Sequence, residues 1–254
     1  MRSATSAPKR CVVGALLVTA LLLAPHAQAQ DQWRWSITPY MWATDISEDL
    51  ILDGQVVGGG DTEFNDLADK IVTSMQLHFE GIKDRWGVFA DVSHVDLRDS
   101  QTGEQGLGRL EADIKETATE AGLIFRPGGS SGRLDLLVGV RILSIIEKYR
   151  LELGQIVGPF ELRVDDDYLD ALIGARWLIP FSDRWAVSLR GDVSAGGTDY
   201  TWTAQGLLAW RFGKYRNSAV FAGYQYRELK YTKADVLEDH KTLSGPGLGL
   251  RIGF

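Results

Sequence analysis

The chain is poor in cysteine and proline and has no long apolar run, and each of these shortages narrows the class of protein. Cys11 is the single cysteine among 254 residues, which excludes a disulfide scaffold and a cysteine-based zinc site. There is no stretch of 18 consecutive apolar residues, which excludes a bundle of membrane-spanning helices. Against seven prolines, the chain has 28 glycines and eight tryptophans. This mixture favours a large β protein.

Basic side chains are scarce relative to acidic ones. The chain has 27 lysines and arginines against 34 aspartates and glutamates, and its formal net charge is -7. Because nucleic acid binding needs a basic face toward the phosphates, we expect no nucleic acid partner.

The first 29 residues are typical of a secretory signal peptide. They combine a positively charged start, an apolar stretch from Val12 to Ala24 that is too short to span a bilayer, and small residues at Ala27 and Ala29 for peptidase cleavage. We therefore predict a signal peptide over residues 1–29 and an exported domain over residues 30–254. Since Cys11 lies in the signal, the exported domain has no cysteine.

The exported domain alternates between apolar and polar residues with a period of two. The pattern is clear over residues 71–81 and 134–142, and clearest over residues 247–254, where Leu248, Leu250 and Ile252 oppose glycines and an arginine. One apolar face and one charged or glycine-rich face, kept up over many residues, is typical of an outer-membrane β-strand.

Turn-forming residues divide this domain into ten strand segments. Short turns at residues 83–85, 127–133, 180–184 and 214–218 alternate with longer polar connections over 45–70, 99–109, 153–160 and 232–241. The segments are 33–44, 71–82, 86–98, 110–126, 134–150, 161–179, 185–196, 200–213, 218–231 and 242–254. We predict an all-β fold: a closed antiparallel up-and-down transmembrane barrel of about ten strands, with eight to twelve open, and with both mature termini in the periplasm. Residues 50–57 could extend the first hairpin or add a strand, and we expect a helical turn or two over residues 64–71.

Aromatic residues gather at both ends of these segments, as expected where rings sit at the two headgroup levels of a membrane. The predicted periplasmic girdle is Trp33, Trp35, Trp86, Phe125, Trp177, Trp185, Trp210 and Phe212. The predicted outer girdle is Tyr40, Trp42, Tyr149, Tyr168, Tyr200, Trp202, Tyr224 and Tyr226. The alternative is a soluble β-sandwich or lipocalin-like barrel, whose aromatics would fill a core.

The polar face of the segments carries charges of both signs in nearly equal number. The acids are Glu80, Asp91, Glu116, Glu120, Asp135, Asp170 and Asp192. The arginines are Arg141, Arg176, Arg190, Arg211, Arg227 and Arg251. Because buried charges are costly unless paired, we predict a nearly neutral ion-pair network that fills the lumen. The alternative is a polar track for a small ion or solute, although about ten strands leave little room for one.

Two further alternatives concern the outer rim. One is an outer-rim hydrolase, a protease or an enzyme that modifies lipid A or phospholipid. For this, Asp165, Asp166 and Asp167 could face Glu238, Asp239 and His240, loosely resembling the outer-membrane aspartate–histidine proteases, although exposed acidic loops are usually only solvated. The acidic loops could instead mediate surface adhesion. The acidic stretch 45–70 lacks the ligand spacing of a calcium loop, so we expect no metal and no other cofactor.

Several strings resemble a widespread, poorly characterised family of proteobacterial outer-membrane β-barrel proteins. They are TPYMWAT (38–44), RWGVFADVSHVDL (85–97), LDLLVGVR (134–141), LIGARW (172–177), FSDRWAVSLRGDVSAGG (181–197) and LSGPGLGLRIGF (243–254). The resemblance implies a Gram-negative outer-membrane location and marks Phe254 as a signal for the barrel assembly machinery. It supplies no catalytic residues. We therefore expect a non-enzymatic, monomeric barrel, structural or narrow-pore, in contact with outer-membrane lipid and lipopolysaccharide.

Overall fold

The computed structural model describes residues 32–102, 109–152, 160–233 and 237–254, and within these ranges nearly every residue lies in a β-strand. The strands are β1 Arg34–Trp42, β2 Asp45–Leu52, β3 Gln55–Thr62, β4 Ile71–Lys83, β5 Trp86–Thr102, β6 Arg109–Phe125, β7 Leu134–Glu152, β8 Phe160–Pro180, β9 Trp185–Gly196, β10 Tyr200–Phe212, β11 Ser218–Lys233 and β12 Leu237–Gly253. A short helix, α1 (Phe64–Ala68), precedes β4, and a 3₁₀ turn (Gly129–Ser131) joins β6 to β7. The described helices are too short or too polar to span a bilayer. The predicted signal peptide lies outside the described residues.

Ten of these strands close into an antiparallel barrel. Their order is β1, then β4 through β12 in sequence, and β12 pairs back with β1. At the closure, the backbones of Trp35 and Phe254 exchange two hydrogen bonds, with N···O distances of 3.1 and 2.9 Å. The predicted all-β up-and-down barrel of about ten strands is confirmed.

The polar connection expected over residues 45–70 is largely a hairpin, so its predicted extent was wrong, while the additional strand left open over residues 50–57 is present. The first half of β12 extends beyond the end of β1 and pairs with β2, and β2 pairs in turn with β3. Asp53 and Gly54 make the turn with φ angles of 51° and 76°, as a tight hairpin turn requires. The acidic residues of this stretch had suggested a solvated loop. The expected loop at 232–241 is also shorter, because β11 continues to Lys233 and β12 begins at Leu237.

The barrel has two distinct ends. At one end lie Arg34, Phe254 and the four short turns, and we call it the termini end. At the other lie the β2–β3 hairpin, α1, the β9–β10 turn and the last described residues of β5, β7 and β11, and we call it the loop end.

The outer face of the barrel is apolar and the inner face carries the charges. On β7, Leu136, Val138 and Val140 are exposed. Asp135 and Arg141, which flank this run, are only 0% and 3% exposed. A soluble protein shows the reverse arrangement, because exposed aliphatic residues favour an apolar solvent. This pattern argues against the soluble β-sandwich alternative.

Candidate functional site in the barrel lumen

Across the middle of the lumen lies a layer of ion pairs centred on Glu120. Its carboxylate is 2.7 Å from Arg141, 2.7 Å from Arg190 and 3.3 Å from Arg227. Asp192 accepts a second contact from Arg141 at 2.6 Å and from Arg190 at 2.8 Å. We call these five residues the charge layer. Since they come from β6, β7, β9 and β11, they connect much of the circumference of the barrel.

A second ion-pair group lies nearer the termini end. Asp135 is 2.6 Å from Arg126 and 2.7 Å from Arg176. Arg176 also reaches Glu80 at 2.5 Å, and Arg251 lies 3.5 Å from the same carboxylate. Arg126 was not among the predicted luminal residues, although it is the last residue of the predicted segment 110–126. Alternate residues of a strand share one face, so Arg126 lies on the same inner face as Glu120 and Ile124.

Asp91 faces inward but does not pair with an arginine, in contrast to the predicted network. Tyr40 Oη donates to Asp91 at 2.8 Å, and His78 Nδ1 lies 3.0 Å from the other carboxylate oxygen. His78 Nε2 is 3.6 Å from Glu80, so the imidazole lies between two carboxylates. Tyr40 was predicted for the outer girdle and instead points into the lumen.

Three other predicted members of the network also face inward but have different partners. Asp170 accepts hydrogen bonds from the Ser194 hydroxyl and from the amide and hydroxyl of Thr198. Glu116 lies 3.8 Å from a lysine, Lys241. Arg211 donates to the carbonyl oxygen of Ser182 at 3.1 Å. Hydroxyls, one backbone amide, a lysine and a backbone carbonyl thus take the place of the expected arginine–carboxylate pairs.

Between the charge layer and the loop end, the lumen is filled by apolar side chains that sequence analysis missed. We call this cluster the plug: Ala118, Leu143, Ile145, Tyr168, Leu229, Tyr231 and Leu243, with Trp42 and Ile46 packed against it. The rings of Tyr168 and Tyr231 lie 5.0 Å apart, and Tyr168 Oη donates to the Thr232 carbonyl at 2.8 Å. Side chains of β8 and β11, which are separated by two strands around the barrel, therefore touch within the lumen here.

The plug corrects the predicted outer girdle. Tyr40, Trp42, Tyr149 and Tyr168 share the inner face of their strands with the luminal charges. Tyr168 is two residues from the buried Asp170, so strand alternation places both on one face. This spacing was the available signal, but residue type was given more weight. Tyr200, Trp202, Tyr224 and Tyr226 do lie on the outer face.

The predicted girdle at the termini end lies entirely on the outer face. Trp86 and Phe125 pack with ring centroids 4.9 Å apart, and Trp210 and Phe212 stack at 5.7 Å. The others are Trp33, Trp35, Trp177 and Trp185.

The structure does not bring together the residues of the proposed hydrolase site. His240 lies on the outer face of β12 and contacts Glu228 at 3.0 Å, while the neighbouring Asp239 is fully buried on the inner face. Asp165, on the distant strand β8, pairs with Arg163 at 2.6 Å. Within the described ranges, no group of three or more His, Cys, Asp or Glu side chains is arranged to hold a metal ion.

The lumen between the charge layer and the termini end contains a cavity of about 560 Å³. Its wall includes residues of the termini-end turns, among them Ser130 and Arg133, so it reaches that end of the barrel. Tyr40, Glu120 and Arg227 lie at its inner limit. The eight arginines in its wall are Arg34, Arg126, Arg133, Arg176, Arg190, Arg211, Arg227 and Arg251.

Comparison with known proteins gives likeness in structure alone. No family model and no curated protein matches the chain. Among solved structures, Ail, the attachment invasion locus protein of Yersinia pestis in complex with the heparin analogue sucrose octasulfate, is 12% identical, with 87% of this chain and 99% of that chain covered and a TM-score of 0.39. The outer membrane protease OmpT of Escherichia coli is 8% identical, with 91% and 99% covered and a TM-score of 0.46. The toluene transporter TodX of Pseudomonas putida is 11% identical, with 94% and 93% covered and a TM-score of 0.33.

Proposed function

We propose that the chain is an integral outer-membrane barrel of non-enzymatic type whose lumen is closed to solutes. The observation that carries the membrane assignment is the exposed apolar band on the outer face, with Ile173 61% and Leu169 60% exposed. Because a closed barrel satisfies all backbone hydrogen bonds between strands, such a band is stable in hydrocarbon. The aromatic rings at its termini-end edge fit the headgroup level.

Two cross-lumen barriers support a closed interior. In the plug, Tyr168 and Tyr231 meet within the lumen, and Tyr231 is fully buried. In the charge layer, Arg227 reaches Glu120 from the opposite wall. A barrel of about this size has room for its own side chains and at most a small ligand, whereas an open aqueous channel needs about 16–18 strands. We therefore favour the structural role over the narrow-pore role.

The export signal and the barrel topology together support an orientation. A chain delivered from the periplasm, with an even number of strands, leaves both mature termini on that side. The termini end, and with it the cavity, would face the periplasm.

Conductance in planar lipid bilayers tests the closed lumen. Purified, refolded protein should give no channel openings, whereas a large porin inserted under the same conditions serves as the positive control. Insertion itself is checked by the heat-dependent shift in gel mobility and by protease protection in vesicles. Regular conductance steps from protein that has passed both checks would contradict a closed lumen.

A further inference from the structure

We propose that the cavity at the termini end binds a small amphipathic anion, an organic carboxylate, phosphate or sulfonate with a compact apolar body. The inference concerns ligand binding, and it goes beyond the closed, structural barrel proposed above. A cavity of about 560 Å³ lies within the range of small-molecule sites. If the plug closes the lumen, a ligand can enter and leave only through the termini end.

Charge in the cavity wall is strongly unbalanced. Eight arginines line the cavity against three carboxylates, Glu80, Asp91 and Glu120. Asp135 and Asp192 lie directly behind the wall, but each already binds two arginines. This part of the lumen therefore differs from the nearly neutral interior that sequence analysis predicts, and it favours an anion.

Three of the arginines are not used by the protein for ion pairs. Within the described ranges, Arg34, Arg133 and Arg211 have no carboxylate in ion-pair contact, and all three lie where their strands meet the termini end. The acids of the neighbouring turns do not neutralise them, because Asp84 faces the Ser130 amide and Asp183 pairs with Arg216 at 3.0 Å. Planar guanidinium groups bind carboxylate and phosphate oxygens in pairs, which suits this rim to an anionic head group.

Part of the cavity wall is apolar. It is formed by small and aliphatic side chains near the termini end of β8 to β11, together with one ring. These residues are Leu178, Pro180, Ala186, Leu207, Ala209, Ala219 and Phe221. A fully hydrated inorganic anion would gain nothing from this surface, whereas an apolar body would be removed from water there. The combination of a cationic rim and an apolar wall therefore points to an amphipathic anion.

Fluorine NMR on the folded protein in zwitterionic lipid nanodiscs tests the proposal. The probe is 4-(trifluoromethyl)benzoate, and the comparisons are its neutral benzamide, its cationic benzamidine and inorganic sulfate as a competitor. We expect the benzoate to bind at least tenfold more tightly than the other three. Absence of benzoate binding, equal binding of the benzamide or benzamidine, or equal competition by sulfate would each overturn the proposal.

Variants locate the binding in the cavity. Arg211→Gln and Arg34→Gln remove rim cations without leaving a carboxylate unpaired, and each should weaken benzoate binding by roughly tenfold. Ala209→Phe should abolish it by filling the space. The matched control is Arg184→Gln, since Arg184 is an exposed arginine at the same end but outside the cavity wall, and the affinity of this variant should be unchanged. Unchanged affinity in folded Arg211→Gln and Arg34→Gln would overturn the proposal.

Discussion

Arg227 Nη2 lies 3.3 Å from Glu120 Oε1, although β11 and β6 stand on opposite walls of the barrel. Glu120 is 3% exposed and is shared with Arg141 and Arg190. The Glu120 carboxylate therefore links β6 to three other strands, β7, β9 and β11. Because the contact crosses the lumen, it braces the barrel against a change of its cross-section.

Glu120→Gln should destabilise the barrel more than Arg227→Gln does. The glutamine leaves Arg227 without a carboxylate, and Arg141 and Arg190 must share Asp192 alone, so we expect a loss of about 3 kcal/mol in unfolding free energy. Arg227→Gln leaves Glu120 with two arginines and should cost clearly less. Urea unfolding in lipid vesicles, followed by tryptophan fluorescence, measures both. Equal midpoints for the two variants would show that Glu120 does not have this central role.

Tyr231→Ala should remove a main part of the plug. Its ring is fully buried against Tyr168, and loss of a buried aromatic side chain costs about 3–5 kcal/mol. Tyr231→Phe keeps the ring and loses only the hydroxyl that accepts from Lys241 Nζ at 3.3 Å, so its loss should be much smaller. The same unfolding assay compares the two. A similar loss for both would mean that the hydroxyl, not the ring, stabilises the plug.

Leu250→Arg tests the membrane-facing side of the barrel. Leu250 is exposed on the outer face of β12, and an arginine near the bilayer midplane costs about 2–4 kcal/mol. The control is Thr232→Arg, at an outward position beyond Tyr226 near the loop end, which should cost no more than about 1 kcal/mol. Refolding yields and unfolding free energies in bilayers give both values. If the two substitutions cost the same, the outer face does not contact hydrocarbon.

Phe254→Ala should separate assembly in cells from stability. The side chain lies on the outer face, while the hydrogen bonds to Trp35 use only backbone atoms and survive the change. We expect less protein in the outer membrane of cells, but unchanged refolding of the purified chain in vesicles. Fractionation of cell envelopes and gel mobility after refolding measure the two. A normal level in cells would contradict a role for Phe254 in recognition by the assembly machinery.

The barrel itself could be predicted because membrane and lumen impose opposite requirements on alternate residues. Over residues 134–142 and 247–254, alternation fixes the face of each side chain, and turns such as 83–85 set the strand boundaries. The β2–β3 hairpin was predicted only as an open possibility over residues 50–57, although Asp53-Gly54 is a strong hairpin signal. There the acidic composition was taken as evidence for a loop.

The contents of the lumen were only partly predictable. Alternation placed Glu120 and Arg227 on the inner face, but it does not say which inward-facing side chains contact each other. That depends on the stagger between strands on opposite walls, which turn lengths do not determine. Asp91 shows the limit, since its partners Tyr40 and His78 come from the two preceding barrel strands. Tyr168 was assigned to the outer face from its residue type, but an aromatic residue near the end of a strand can lie on either face.

The pairing of β1 with β12 ties the beginning of the folded domain to its end. The earliest strand to leave the ribosome finds its second neighbour only when the latest one arrives. A message with a premature stop codon before β12 would therefore not yield a slightly narrower cylinder. It would yield an open sheet with two bare edges, each with unpaired backbone groups ready to pair with another chain.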